Sequence, residues 1–368
     1  MSRKLLFVAS SYIHLLNFHL PYLHALQEEG WEIHAGCASP KADIPWTART
    51  LHIPFEKKMS SPSNFRAAAQ IRRLVREEGY ELIIVHTSLA AFFTRFALWG
   101  MRRRPKVINM VHGYLFDDQT SLPKRAILLL AELLTAGQTD LLLTMNEWDY
   151  QLARRWHLGK RVENLPGIGV DFQKMHPAEP WEAAQLREKL GISSDAFVLL
   201  CAAELSKRKS QEFLIKAIPL LPERAVLVLA GSGTEEESLR RLADSLGVEE
   251  RVFFPGYIKG LETWYAMADA VVTASRSEGL PFNVMEAMFL ERPVVASRVK
   301  GHTDLITDGE SGLLVPYGDP KALARAIRRL LEEPSLCNIL CAHAKSSVRQ
   351  FGLEEAMPQV MREYRSLM

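Results

Sequence analysis

Cysteine is scarce in this chain, with four residues in 368, at Cys37, Cys201, Cys337 and Cys341. The one close pair, Cys337 and Cys341, has helical spacing and lacks the histidines or second pair that a zinc site needs, so neither a disulfide framework nor a cysteine-based metal site is expected. A reduced cytoplasmic protein is the natural reading. Long apolar runs are missing too. The longest, around Ile127 to Leu134 and Leu141 to Met145, fall short of the ~20 residues that span a bilayer. The opening run Arg3 to Ala9 is broken at once by Ser10, Ser11 and His14, which suits a first buried strand better than a signal peptide. There is no low-complexity tract, and the net charge is only +2. Nucleic acid is not expected among the partners.

The length suits two domains, each able to bury its own core. Up to Pro166 there are 21 Lys and Arg against 15 Asp and Glu, a net +6; the remainder has 24 against 28, a net −4. A basic first half beside an acidic second half suggests that one lobe meets something anionic, such as a membrane surface or a phosphate-linked acceptor. Short apolar runs recur with amphipathic helical stretches between them: Leu5 to Ala9, Glu32 to Gly36, Leu82 to His86, Val107 to Val111 and Leu141 to Thr144. The rhythm restarts with Phe197 to Ala202, Ala225 to Ala230, Val252 to Phe254, Ala270 to Thr273, Pro293 to Ala296 and Gly312 to Val315. This alternation predicts an α/β protein with two Rossmann-like, doubly wound parallel sheets facing across a cleft. The Gly- and Pro-punctuated stretch from Gly167 to Trp181 marks a linker. The expected division is therefore 1–166 as the first domain and 167–352 as linker and second domain. A last amphipathic helix, 353–368, is expected to pack back on the first domain.

The most informative segment runs from Ser275 to Met288 (Ser-Arg-Ser-Glu-Gly-Leu-Pro-Phe-Asn-Val-Met-Glu-Ala-Met). A strand ends near Thr273, Gly279 permits a tight turn, and a helix is expected to start at Pro281, where a missing N–H does no harm. Free N–H groups and the positive dipole end of such a helix can hold phosphate or sugar hydroxyls. Glu278 in the turn and Glu286 about two turns on could both face one ligand. This pattern, Glu-Gly-x-Pro with a second Glu eight residues after the first, resembles the signature of glycosyltransferase family 4. The resemblance implies the retaining GT-B fold, with Glu278 by the donor sugar and Glu286 on the nucleotide ribose. Gly279, Leu280, Pro281 and Phe282 complete the phosphate- and sugar-binding turn.

Neighbouring segments resemble the same family. Gly231 follows a strand and can let backbone approach a ligand. Val252 to Tyr257 looks like the base-contacting strand, where Tyr257 could stack on the nucleobase or simply pack at the strand end. Asp308 to Val315 resembles a closing structural hairpin. Glu204 stands where the family usually has an arginine, while Lys209 matches the family lysine that meets the diphosphate, and Lys207 or Arg208 is a candidate for the missing charge. Bacterial exopolysaccharide and capsule enzymes resemble this chain in having Glu at that position. In the first lobe the His-Gly pair at His112 and Gly113 resembles the family's donor-sugar contact. No double glycine follows the first strand; His14, Asn17 and His19 there are candidate acceptor contacts. Phe92 to Lys106, apolar then basic, reads either as an interfacial segment on anionic lipid or as a core helix with a charged end.

The function expected from this resemblance is retaining transfer of a sugar from a nucleotide diphosphate donor, UDP-linked on the family pattern, to a lipid-linked or saccharide acceptor in polysaccharide biosynthesis. No Asp-x-Asp occurs, so no metal ligands are assigned and no cofactor is expected beyond the donor itself. A cytoplasmic protein, with peripheral contact to the inner face of the membrane through the first domain, fits this reading. A nucleotide-sugar epimerase on the same scaffold and a non-catalytic nucleotide-binding subunit are the alternatives.

Overall fold

The computed structural model describes residues 3–368, which divide into two compact units. Of the described residues, unit 1 comprises 3–169 with 354–368, and unit 2 spans Val170–Leu353. The first unit carries a seven-stranded sheet of β1 (Arg3–Ser11), β2 (Trp31–Ala38), β3 (Arg49–His52), β4 (Leu82–His86), β5 (Lys106–Met110), β6 (Leu141–Thr144) and β7 (Arg161–Asn164). The second carries β8 (Phe197–Ala202), β9 (Ala225–Ala230), β10 (Val252–Gly256), β11 (Ala270–Thr273), β12 (Val294–Ser297) and β13 (Leu313–Val315). Every strand pair is parallel.

The strand orders are β3-β2-β1-β4-β5-β6-β7 and β10-β9-β8-β11-β12-β13. In each sheet the order reverses beside the unit's first strand, between β1 and β4 and between β8 and β11. Helices on both faces leave a crevice beyond the carboxyl ends of the strands at such a point, and it is the place where doubly wound sheets bind ligands. The central strands are buried on both faces, as in β9, Ala-Val-Leu-Val-Leu-Ala, where all six residues are buried. Each fully buried Val or Leu there contributes roughly 1.5–3 kcal/mol. This double burial is why these strands read as continuous apolar runs instead of alternating ones.

Two strands were not foreseen from sequence, β3 (Arg-Thr-Leu-His) and β7 (Arg-Val-Glu-Asn). Both lie at the edges of the first sheet. Edge strands are short and polar because an apolar edge invites pairing with other chains, and that polarity hides them from a hydrophobicity pattern. The helix Leu353–Arg365 belongs to unit 1, where Ala356, Val360, Met361 and Tyr364 are buried. Arg365 also pairs with Glu29 at 2.6 Å.

In the segment from Phe92 to Lys106 the helical part takes the core-helix reading, while Trp99, Arg102 and Arg103 after it are exposed. Helix Ser88–Ala97 lies in the core of unit 1, with Phe93, Thr94 and Arg95 buried. The Arg95 guanidinium donates to Glu132 at 2.7 Å, and Arg104 pairs with Asp140 at 2.6 Å, so two of its cations neutralise internal carboxylates. Apolar exposure lies also on helix Leu122–Ala136, where Leu122, Ile127, Leu130, Leu133 and Leu134 face outward. Among the described residues, no helix is long and apolar enough to cross a membrane.

Candidate active site

In unit 2 the loops after β8 and β11 meet at the switch point. Backbone N–H of Arg276 donates to the Arg208 carbonyl at 2.8 Å, and the Arg208 guanidinium reaches the Ser277 carbonyl at 3.1 Å. These bonds place Glu278, 7% exposed, between two cations: Lys209 Nζ donates to Oε1 at 2.6 Å and Arg208 Nη1 to Oε2 at 2.9 Å. Burial opposes ionisation of Glu278, but the Lys209 ammonium and then the Arg208 guanidinium overcome it and hold the carboxyl down to about 2. Glu278 is therefore a fixed anion, suited to orienting cations and unsuited to proton transfer.

Arg208 thus brings a second cation to Lys209. Glu204 is exposed and contributes its carbonyl, which accepts from Gln211 at 2.8 Å. Lys207 is exposed. Gly279 and Phe282 are half-buried, Leu280 and Pro281 buried. The helix that follows spans Phe282–Phe289, so Pro281 stands just before it, in extended conformation, and not as its first residue. Asn283 Nδ2 donates to the Ala202 carbonyl at 2.9 Å, which pins the helix start to the end of β8.

Glu286, half-buried, accepts from the Tyr265 hydroxyl at 2.8 Å, and burial raises its pKa. The two glutamates thus have separate partners, one an ion triad and the other a phenol. Tyr257 is 70% exposed after β10, which removes its reading as a packed aromatic and leaves its ring open to a ligand. Gly231 has a steric reason of its own. A Cβ there would lie 1.9 Å from the Ala203 carbonyl oxygen, so the glycine lets the β8 and β9 loops touch backbone to backbone.

Sequence reasoning did not find Gly301 or His302. Gly301 has φ +82°, and a Cβ on it would meet the Gly279 carbonyl at 2.7 Å and Glu278 Cβ at 2.8 Å. His302, buried, hydrogen-bonds through Nδ1 to the Ser297 carbonyl at 2.8 Å. Both lie after β12 and brace the Glu278 turn. A glycine followed by a histidine after a strand is too common a pair to single out.

In unit 1, His112 follows β5 and is one of four clustered histidines. His86 at the end of β4 shares a hydrogen bond with it, Nδ1 to Nε2 at 3.0 Å. His19 stacks near His86 with ring centroids 3.9 Å apart, and His14 meets His112 edge-on at 4.8 Å. Burial takes His14 down to about 4 and pushes His19, His86 and His112 well below the ordinary histidine value, neighbouring rings adding to the effect in those three. All four are neutral imidazoles near neutral pH. Asn17 is exposed and apart from the cluster's contacts. At the carboxyl ends of β1, β2 and β4 a cavity of about 610 Å³ is lined by Tyr12, Ile13, Phe55 and Leu89 together with Lys41, Lys57 and Glu56.

The two-sheet architecture is also that of solved structures. HepE of Anabaena, solved in complex with UDP and glucose, superposes with a TM-score of 0.78 at 20% identity, over 99% of this chain and 100% of that one. WaaG, a glycosyltransferase involved in lipopolysaccharide biosynthesis, superposes with a TM-score of 0.75 at 16% identity, over 97% of this chain and 98% of that one. The fold is GT-B. Residues 20–166 match the model of the glycosyl transferase 4-like domain, and residues 182–347 that of glycosyl transferases group 1. A putative glycosyltransferase of Bacillus subtilis, EpsD, is 32% identical over 100% of this chain and 98% of its own length. The lipopolysaccharide core biosynthesis glycosyltransferase LpsD of Rhizobium meliloti is 34% identical over 51% of this chain and 53% of its own. The chain belongs to glycosyltransferase family 4.

Proposed function

We propose that this glycosyltransferase moves a sugar, with retention of configuration, from a UDP-linked donor to a lipid-linked or saccharide acceptor of polysaccharide assembly. The observation that carries the donor half is the Lys209–Glu278–Arg208 triad, which pre-sets two cations where a diphosphate needs them. Glu286 takes the ribose and exposed Tyr257 the base; Gly279 to Phe282 wrap the phosphates, with Gly231 keeping the neighbouring loops in contact. His112 in unit 1 and Glu278 in unit 2 are the residues assigned to the donor sugar. The alternative of a nucleotide-binding subunit without activity is disfavoured by the presence of all four of Glu278, Glu286, Lys209 and His112.

Retention is what the family resemblance implies, and the surroundings of the proposed catalytic groups bear only on its route. The charges acting on His112 come from histidine, and Glu278 is committed to its cations, so neither supplies a free carboxylate nucleophile. The acceptor oxygen then bonds to the anomeric carbon on the face from which the diphosphate leaves, and the acceptor proton passes to a diphosphate oxygen. Lys209 and Arg208 receive the charge that builds on the leaving group, so the step is assigned no metal. The donor assignment is tested by calorimetric titration with UDP and GDP. Wild-type protein is expected to bind UDP selectively, and Glu286→Ala to bind it ~10-fold more weakly, the loss of one charge-assisted hydrogen bond. No binding of either nucleotide, with or without Mg²⁺, would rule the donor site out.

The acceptor half rests on the unit 1 cavity, whose apolar walls and two lysines suit a lipid-borne phosphate, and on the outward apolar face of helix Leu122–Ala136. That face, with Lys124 beside it, is what a peripheral enzyme lays on an anionic bilayer. Co-sedimentation with phosphatidylglycerol vesicles is expected for the wild type and lost in Ile127→Glu/Leu130→Glu. A wild type that stays in the supernatant sinks the membrane reading.

A further inference from the structure

We propose that His14, His19 and His112 form a binding site for one transition-metal cation of the zinc class. One ring nitrogen from each of the three lies within 4.8 Å of the others. They come from three places in the chain: the helix Tyr12–Phe18, the junction that follows it, and the loop after β5. The second observation is unmet hydrogen bonding. His14 Nε2, both nitrogens of His19 and Nε2 of His86 are buried without a partner, and His19 has no exposure at all. Buried polar atoms are almost always paired, and each one left unpaired costs about 1–3 kcal/mol. With His86 Nδ1 accepting from His112, His86 Nε2 carries its proton, and neutral His19 keeps one lone pair, so His14 Nε2 and one nitrogen of His19 remain as buried lone pairs without a partner and point to a ligand that accepts them.

The donor set selects the ion. The electrostatic neighbours of His19, His86 and His112 are other histidines, with no carboxylate among them. An all-imidazole set suits Zn²⁺, Co²⁺, Ni²⁺ or Cu²⁺ and does not suit Mg²⁺ or Ca²⁺, which require oxygen. Three protein nitrogens leave the fourth tetrahedral position to water or another ligand. Zn–N bonds of about 2.0–2.1 Å place tetrahedral nitrogens roughly 3.3 Å apart, so the rings must draw in by about 1 Å or more. Half-buried His14, on a single short helix, has the freedom to do so. His86 holds the orientation of His112: when His112 Nε2 donates to His86 Nδ1, the Nδ1 lone pair of His112 is the one left to coordinate. The proposal concerns binding alone and stands whether or not His112 touches a donor sugar.

The test is a titration of metal-stripped full-length protein with Co²⁺, followed by its visible ligand-field absorption, which is intense only in tetrahedral sites. One equivalent is expected to bind, to be displaced by Zn²⁺ and to be unaffected by excess Mg²⁺. His14→Ala is expected to weaken binding roughly 100-fold or more, through loss of one of three ligands. Because His19 is wholly buried, His19→Asn is judged only alongside an unchanged near-ultraviolet circular dichroism spectrum; His14→Ala carries the test if that variant misfolds. Cys337→Ser/Cys341→Ser is expected to keep the full absorption. A folded wild type that binds no Co²⁺, a band that survives His14→Ala, or a thiolate charge-transfer band that vanishes in the cysteine variant would each overturn the proposal.

Discussion

Replacing Glu278 with glutamine is expected to lower the rate of sugar transfer roughly 100- to 1000-fold, the range seen when one preorganised electrostatic group is removed. The glutamine amide keeps the shape and the burial but cannot anchor two cations. Lys209, whose side chain is 12% exposed, loses the partner at 2.6 Å that fixes its position and offsets its charge. Breaking a buried pair on one side costs about 3–5 kcal/mol. Arg208 is half-exposed and relaxes into water, which places this variant at the lower end. Lys209→Met in the same background is expected to restore most of the stability and none of the activity, a combination that separates the electrostatic role from folding.

The same carboxylate sets a pH dependence. Its folded pKa, about 2, lies below the usual value of 4.5, so the folded state binds the proton less readily than the unfolded one. The stabilisation is fully present above pH 4.5 and is lost as the pH falls from there towards 2. A shift of this size corresponds to roughly 3 kcal/mol. Urea unfolding at pH 6 and pH 3 measures it. Over that range about 2 kcal/mol of it is lost, since pH 3 still lies above the folded pKa, so the wild type should lose about 2 kcal/mol more than Glu278→Gln, and equal losses would show that the triad does not control the acid response.

Gly231→Ala is the substitution with the largest expected effect on folding. Its methyl group would enter the 1.9 Å space in front of the Ala203 carbonyl. The obstacle is backbone, held there by the Ala203 N–H bond to the Ala230 carbonyl at 3.0 Å, so no side chain can swing aside. Overpacking of this kind costs about 3 kcal/mol or more, at the upper end of its range. Relief by moving the 203–209 loop would carry Lys209 with it and weaken nucleotide binding as well. Gly137→Ala is the matched control, because its φ is −60° and a Cβ there meets nothing within 4 Å. It is expected to be neutral or to stabilise by about 0.4–1 kcal/mol. Equal urea midpoints for the two variants would show that the close approach at Gly231 is not what requires glycine.

The buried strands were legible because their burial on both faces leaves an unbroken apolar run. Leu82–His86, Leu141–Thr144, Phe197–Ala202, Ala225–Ala230 and Ala270–Thr273 stand at the expected bounds. The edges were not, since β3 and β7 are polar where solvent reaches them. Helix Ser88–Ala97 stayed between two readings for the opposite reason: Arg95 is a basic residue yet lies in the core, because Glu132 meets it there. Of the candidate site, the residues on the loops after β8 and β11 could be named from spacing within one stretch. What could not be read was pairing between stretches. Arg208 meets Glu278 across 70 positions, Tyr265 meets Glu286 across 21, and the four histidines gather from residues 14 to 112. Such neighbours exist only once the crossovers are laid down, and no local pattern encodes them.

The chain enters unit 2 at Val170 and leaves it at Leu353, and these two points touch. Val170 N–H donates to the Phe351 carbonyl at 3.0 Å, and Leu353 N–H to the Val170 carbonyl at 2.8 Å. In genetic terms unit 2 is an insert of 184 residues whose ends meet, set within a host whose own sequence resumes at Glu354, one residue into the last helix. A domain with adjoining ends can be lifted out, or exchanged for another of its kind, without stretching the polypeptide on either side. Unit 2 is therefore a cassette separable from the histidine-bearing unit 1, its two ends held together by two backbone hydrogen bonds of its own.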